Sequence, residues 1–163
     1  MSTPFTKIYP KFLDKVEKDE TFLNYYNLTE EESMNIAIER SKSFLEESVT
    51  DLVLKCTPDI DFTDYDEVLE EFASDLVKNE INLLASIMFE KYVSRDVAML
   101  KTLNVNFTPT DLQVFSPSSD RKTFMEMYKQ VQDANILMIN AYISKDRITG
   151  KKKGINFSQY GDY

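Results

Sequence analysis

Histidine is absent from the 163 residues. That removes hydrolases built on an imidazole base, His-ligated zinc and the usual neutral-pH proton shuttles. A single cysteine, Cys56, excludes an intrachain disulfide and any thiolate metal cage. With 3 Gly and 5 Pro there is no glycine loop to cradle a phosphate. Tryptophan is also missing. No run approaches the ~18 continuous apolar residues of a membrane-spanning helix. The opening Met1-Ser2-Thr3-Pro4-Phe5-Thr6-Lys7 has no apolar signal core, so the expectation is a chain that is neither exported nor in a membrane. These absences argue against an enzyme and leave no expected cofactor.

What is present is a core. Apolar residues make up 42% of the chain, with 9 Tyr and 11 Phe, too much for disorder. The net charge is −9 and unevenly spread. Asp59 to Glu80 holds nine acids and one base, whereas Lys145 to Tyr163 holds five bases and two acids. An acidic body with a basic tail implies oriented contacts with other surfaces.

Periodicity predicts helices. Ile8, Phe12 and Val16 lie on one stripe of a short helix beginning near Tyr9. A connector runs from Asp19 to Asn27. Thr29 followed by Glu30-Glu31-Glu32 is a capping box. From it Met34, Ile38, Ser41, Leu45, Val49, Leu52 and Cys56 trace a long amphipathic helix that ends before Pro58. A third helix is expected to open at Thr63 or Asp64, its seam running through Ala73, Val77, Ile81, Leu84, Met88 and Tyr92, with a kink or break near Ser94-Arg95-Asp96.

Asn104 to Ser119 carries turn residues around Pro109 and Pro117 and reads as a long ordered loop. Its Phe107, Leu112 and Phe115 are candidate partner contacts. A last helix, capped by Ser118, Ser119 or Asp120, has its seam at Phe124, Met127, Val131, Ala134, Met138 and Ala141, with Asn135 and Tyr142 beside it, and is stopped by Thr149-Gly150. The tail then places Lys151, Lys152 and Lys153 ahead of Ile155, Phe157, Tyr160 and Tyr163, a basic and aromatic arm suited to docking on a neighbour. The expected architecture is all-α: a bundle of three to four helices over 1–145, including the loop, and an extended C-terminal arm over 146–163.

The residues admit three chemical readings. Asp59, Asp61, Thr63 and Glu70 begin like a calcium loop, but Asp64 stands where that loop needs glycine and Asp66 where it needs an apolar residue. The remaining acids read as a solvated face rather than a metal or acid–base site. Cys56 lies on an apolar stripe and reads as a small core residue.

Ile8-Tyr9-x-x-Phe12-Leu13 with Asp19 and Thr21-Phe22 behind it, the capped helix from Thr29 to Cys56, and Asn79-Glu80-Ile81-Asn82-Leu83-Leu84-Ala85-Ser86-Ile87-Met88 together resemble the head-to-tail connector proteins of tailed phages, also called adaptor or head-completion proteins. The likeness spans roughly residues 6 to 145 and rests on pattern; the loop and the arm do not map onto it. The resemblance implies a virion protein, assembled in the host cytoplasm, that forms a homo-oligomeric ring, usually twelvefold, beneath the portal. Such a ring extends the DNA channel and docks the tail or a second neck protein, and DNA passes through it unbound. It further implies that Asp59, Asp61, Asp64, Asp66, Glu67, Glu70 and Glu71 face the channel, where acids repel the DNA backbone. The competing class is an acidic helical inhibitor that imitates DNA, against which the basic tail counts.

Overall fold

A computed structural model describes residues 2–16, 28–106 and 118–154. Among these the chain is mostly helical: α1 (Tyr9–Val16), α2 (Glu30–Lys55), α3 (Lys78–Asn106) and α4 (Ser118–Ile143), with a 3₁₀ turn at Phe5–Lys7. Three two-residue strands, β1 (Thr3–Pro4), β2 (Tyr65–Asp66) and β3 (Glu71–Phe72), add a small antiparallel sheet in the order β1-β3-β2. The all-α expectation holds for the body, and the sheet is an addition to it.

Helix α1 buries Ile8, Tyr9, Phe12 and Val16, the predicted stripe. The capping box of α2 is complete: Glu32 N–H donates to Thr29 Oγ1 (3.3 Å), and Thr29 N–H donates to the Glu32 carboxylate (2.9 Å). Leu45, Val49 and Leu52 face inward as the spacing predicts, but Met34 is 46% exposed. Ser33, Ala37, Ser41 and Ser48 are buried beside them, small side chains that let a neighbouring element approach. Ser41 and Ser48 donate to the carbonyls of Ala37 (2.7 Å) and Phe44 (2.6 Å), so neither hydroxyl is left unpaired.

The third helix starts fourteen or fifteen residues later than its sequence suggests, at Lys78 instead of Thr63 or Asp64. The intervening acidic stretch is a β-hairpin. Asp61 accepts from the N–H (2.8 Å) and hydroxyl (2.6 Å) of Thr63, and Asp66 accepts from the N–H groups of Val68 (2.8 Å) and Leu69 (2.9 Å). Such local bonds compete with helix. Pairing with the distant β1 then fixes the extended form, with Thr3 opposite Phe72 and Tyr65 opposite Phe72. Thr3 Oγ1 also accepts from the N–H of Leu76 (2.8 Å).

Helix α3 continues unbroken through Ser94-Arg95-Asp96, where a kink or break is expected from the sequence. Ser94 bonds back to the Lys91 carbonyl (2.7 Å) within α3, while Arg95 reaches Glu47 (2.8 Å) and lies over the Phe44 ring (3.9 Å), so of the polar groups that resemble a helix end one is satisfied by α3 itself and the other by α2. The expected loop is also shorter: 104–106 belong to α3 and 118–119 to α4, and 107–117 lie outside the described residues. Helix α3 packs against α1, α2 and α4 and is the centre of the molecule, burying Leu83, Leu84, Ala85, Ile87 and Met88. Each large aliphatic side chain among these is worth about 1.5–3 kcal/mol when fully buried. Phe5, Phe62 and Phe72 extend this core under the sheet, Phe5 and Phe72 being 5.0 Å apart between ring centres.

The seam of α4 is rotated from its predicted position. Asn135 and Ile139 are buried, while Met127 is 38% exposed and Ala134 and Ala141 are also exposed. The reason is polar. Asn135 Nδ2 donates to the Glu90 carboxylate (2.7 Å) and to the Ser86 carbonyl (3.2 Å), which turns this side of α4 toward α3.

Candidate functional site

The start of α3, the end of α4 and the turn that follows meet at one end of the molecule. Glu80 sits in the first turn of α3 and is fully buried, where its Oε2 accepts from the Val77 N–H (2.8 Å). A buried carboxylate needs a cation. Arg147 supplies it as a two-pronged fork, Nε to Oε1 and Nη2 to Oε2, each 2.8 Å, with Nη2 also donating to the Asp75 carbonyl (2.7 Å). The Tyr142 hydroxyl donates to Oε1 (3.2 Å). Bonding to Glu80 raises the Arg147 guanidinium further above its ordinary value. Burial first, and then the Glu80 charge, push the Tyr142 phenol well above its own.

The turn itself is closed by its own groups. The Asp146 carboxylate accepts from the N–H of Thr149 (2.7 Å), its hydroxyl (2.7 Å) and the N–H of Ile148 (3.2 Å), which hold it below the usual carboxylate range. Gly150 has φ +67°, a left-handed position that favours glycine, and its N–H donates to the Asp146 carbonyl (2.8 Å). Lys145 and Lys152 pair across the turn through their backbones. Helix α4 therefore ends at Ile143, six residues before the predicted stop at Thr149. Lys153 then reaches Asp59 (2.6 Å), clipping the segment to the base of the acidic hairpin.

Beside the fork is a cavity of about 270 Å³, lined by apolar Val77, Leu83, Met138 and Tyr142, with Asn79, Asn82, Lys145 and Asp146 among its polar groups. Further along α3, Glu90 is buried next to Asn135, with Lys55 3.5 Å away. Lys55 also meets Asp51 (2.7 Å), which Lys91 holds from the other side (3.0 Å). Burial alone would raise the Asp51 carboxyl, but the two ammonium groups outweigh it and leave it below its ordinary value.

The acidic residues singled out in the sequence divide. Asp61, Asp64, Asp66 and Glu67 are exposed along the hairpin; Asp61 and Asp66 also hold its turns. Asp59 pairs with Lys153 and Glu70 with Lys42 (3.3 Å), and Glu71 is half-buried in β3. Glu80, at the end of the same acidic stretch, faces the interior. Of the basic cluster, Lys151 and Lys152 are exposed and Lys153 is ion-paired. Ile155, Phe157, Tyr160 and Tyr163 of the arm, and Phe107, Leu112 and Phe115 of the loop, lie outside the described residues. Among the described residues no group of three or more carboxylates or cysteines converges on a point where a metal would sit, and no helix is long and apolar enough to cross a membrane. Cys56 is half-buried and bonds the Leu52 carbonyl (3.3 Å), and burial pushes its thiol up.

Sequence reasoning misses the Glu80–Arg147 fork and the Glu90–Asn135 contact. The only signal for them is Asn135 and Tyr142 standing beside an apolar seam. No protein-family model, no curated protein and no solved structure matches this chain.

Proposed function

We propose that this chain is a structural subunit of the head-to-tail connector class, forming a homo-oligomeric ring that binds the portal above and tail components below. The observation that carries the proposal is the rooting of the C-terminal segment. The Arg147–Glu80 fork and the Lys153–Asp59 pair hold residues 146–154 on the body. The chain is therefore held up to Gly154, beside two exposed cations, Lys151 and Lys152, immediately before the sequence of the aromatic arm begins. A fixed root lowers the entropy lost when an arm docks on a neighbouring subunit or on the portal. The exposed acids at the base of the hairpin, Asp61 and Asp64, suit a channel wall that repels passing DNA. The reading requires no catalytic chemistry and no cofactor.

The test is native mass spectrometry of the protein alone and mixed with the intact portal ring of the same genome. A defined multimer added to the portal with symmetry-matched stoichiometry is the expected result. No association with an intact portal ring sinks the proposal. Stoichiometric binding to a DNA-processing enzyme, without ring formation, would favour the acidic inhibitor, which the exposed acidic hairpin supports and the basic turn opposes.

A further inference from the structure

The hairpin ends in two aliphatic side chains held in solvent, Val68 at 90% and Leu69 at 66% exposed. Their backbone is not loose. Asp66 accepts both N–H groups, Lys42 donates to the Glu67 carbonyl (3.2 Å), and the Phe5 N–H donates to the Glu70 carbonyl (2.8 Å). Glu70 is held at φ 52°, a left-handed conformation that a non-glycine residue adopts at a cost, to close this tip. The result is a preorganised apolar knob flanked by carboxylates. At the other site, the 270 Å³ cavity offers an apolar wall of Leu83, Met138 and Tyr142 with Lys145 in its lining, and Lys151 and Lys152 stand exposed on the adjoining turn. The cavity's lining contains none of the tip residues of its own copy.

We infer that the Val68–Leu69 tip of one copy docks into the α3–α4 cavity of the next copy, with Glu67 facing Lys145. Charge and polarity select this occupant: an aliphatic knob among acids meets an apolar recess where Lys145, with Lys151 and Lys152 on the adjoining turn, outnumbers the Asp146 carboxylate of the lining, and each copy carries one of each. Because knob and socket are different surfaces, the contact is head-to-tail and propagates from copy to copy, giving a ring where the rotation between copies closes. The inference deepens the connector reading, which supplies the second copy. It assigns the hairpin tip to the subunit interface and leaves Asp61 and Asp64 at the hairpin's base to the channel.

Two singly substituted proteins, both in a Cys56→Ser background, test the contact directly. Leu69→Cys mixed with Ala141→Cys, which lines the cavity, is expected to give a mixed disulfide dimer in solution at high concentration or on the portal. Leu69→Cys mixed with Ile136→Cys, an exposed position outside the cavity, serves as the control. The introduced cysteines are at exposed positions, and Cys56→Ser is a near-isosteric change at a half-buried site whose bond to the Leu52 carbonyl a hydroxyl can also make, so the fold is retained. In full-length protein, Glu67→Lys and Lys145→Glu are each expected to weaken self-association about tenfold, and the double reversal to restore most of it. A mixed dimer no more frequent than the control, or reversals that do not compensate, overturns the interface. Portal binding measured on the same samples reads the connector proposal separately. Portal association without the matched cross-link leaves that proposal standing and removes this one; the cross-link without portal association does the opposite.

Discussion

Arg147 and Glu80 are 67 positions apart in the chain and meet through two parallel N–H···O bonds of 2.8 Å, with the carboxylate fully enclosed. This contact joins the C-terminal turn to the first turn of the central helix.

Removing the cation alone leaves a buried negative charge. Arg147→Met is expected to cost about 3–5 kcal/mol in chemical denaturation, whereas the double change Arg147→Met with Glu80→Met should cost much less, because an apolar pair often replaces a buried ion pair without penalty. Equal losses in the single and double variants would falsify this account of the fork.

Asn135 is the polar wedge that orients α4. Its Oδ1 is buried and accepts no hydrogen bond from the described residues, while its Nδ2 serves Glu90 and Ser86. Asn135→Ala is expected to lose about 1–3 kcal/mol. Asn135→Asp places a second carboxylate beside Glu90, so the new group's pKa rises in the fold. Its penalty should therefore be larger at pH 8 than at pH 5, as read by denaturation at about those two values. A penalty independent of pH would show that the introduced carboxyl does not face Glu90.

Alkali should unfold the protein through its buried phenols. Burial, and after it neighbouring carboxylates, raise both Tyr9 and Tyr142. A phenol whose folded pKa is raised stabilises the fold fully below its unfolded value of about 10 and loses that contribution as pH climbs toward the folded one. Thermal midpoints should fall from about pH 10 upward, and the slope should flatten in Tyr9→Phe with Tyr142→Phe. An unchanged slope in the double variant assigns the alkaline limb to other groups.

Thr3 joins the N-terminal strand to the approach to α3. Its buried hydroxyl accepts from the Leu76 N–H (2.8 Å). Thr3→Val keeps the shape and leaves that N–H unpaired, so about 1–2 kcal/mol should be lost. Amide exchange at Leu76 should accelerate more than exchange at Leu84, deep in α3.

Where the signal was local, the sequence sufficed. Thr29 and Glu32 satisfy each other within one turn, so the start of α2 was readable from four letters. Ile8, Phe12 and Val16 repeat at helical spacing and are buried as that spacing requires. Pro58 bounded α2 correctly, since the helix ends at Lys55. Helix α4 begins at Ser118, so the residues expected to cap it, Ser118, Ser119 and Asp120, lie inside its first turn and its start comes one residue or more earlier than expected.

Where the outcome depended on a distant partner, it did not. From Thr63 or Asp64 to Val77 the apolar spacing reads as the start of a helix, but Asx-type bonds and pairing with β1 make this stretch part of a hairpin, and β1 lies some seventy residues upstream. The inward face of α4 follows Asn135 rather than the best apolar seam because a buried Glu90 on another helix needs a donor. Arg147, in a tail whose composition reads as a basic and aromatic arm for docking on a neighbour, is drawn inward because a buried Glu80 carboxylate calls for a cation. The α2 capping box, the α2 boundary before Pro58, the α1 stripe and the Leu45, Val49 and Leu52 part of the α2 stripe are legible in the sequence because each is decided within a few residues. The tertiary structure decided which charges are interior, which face of α4 turns inward and where the acidic hairpin projects, because each of these balances desolvation against a partner far away in the chain.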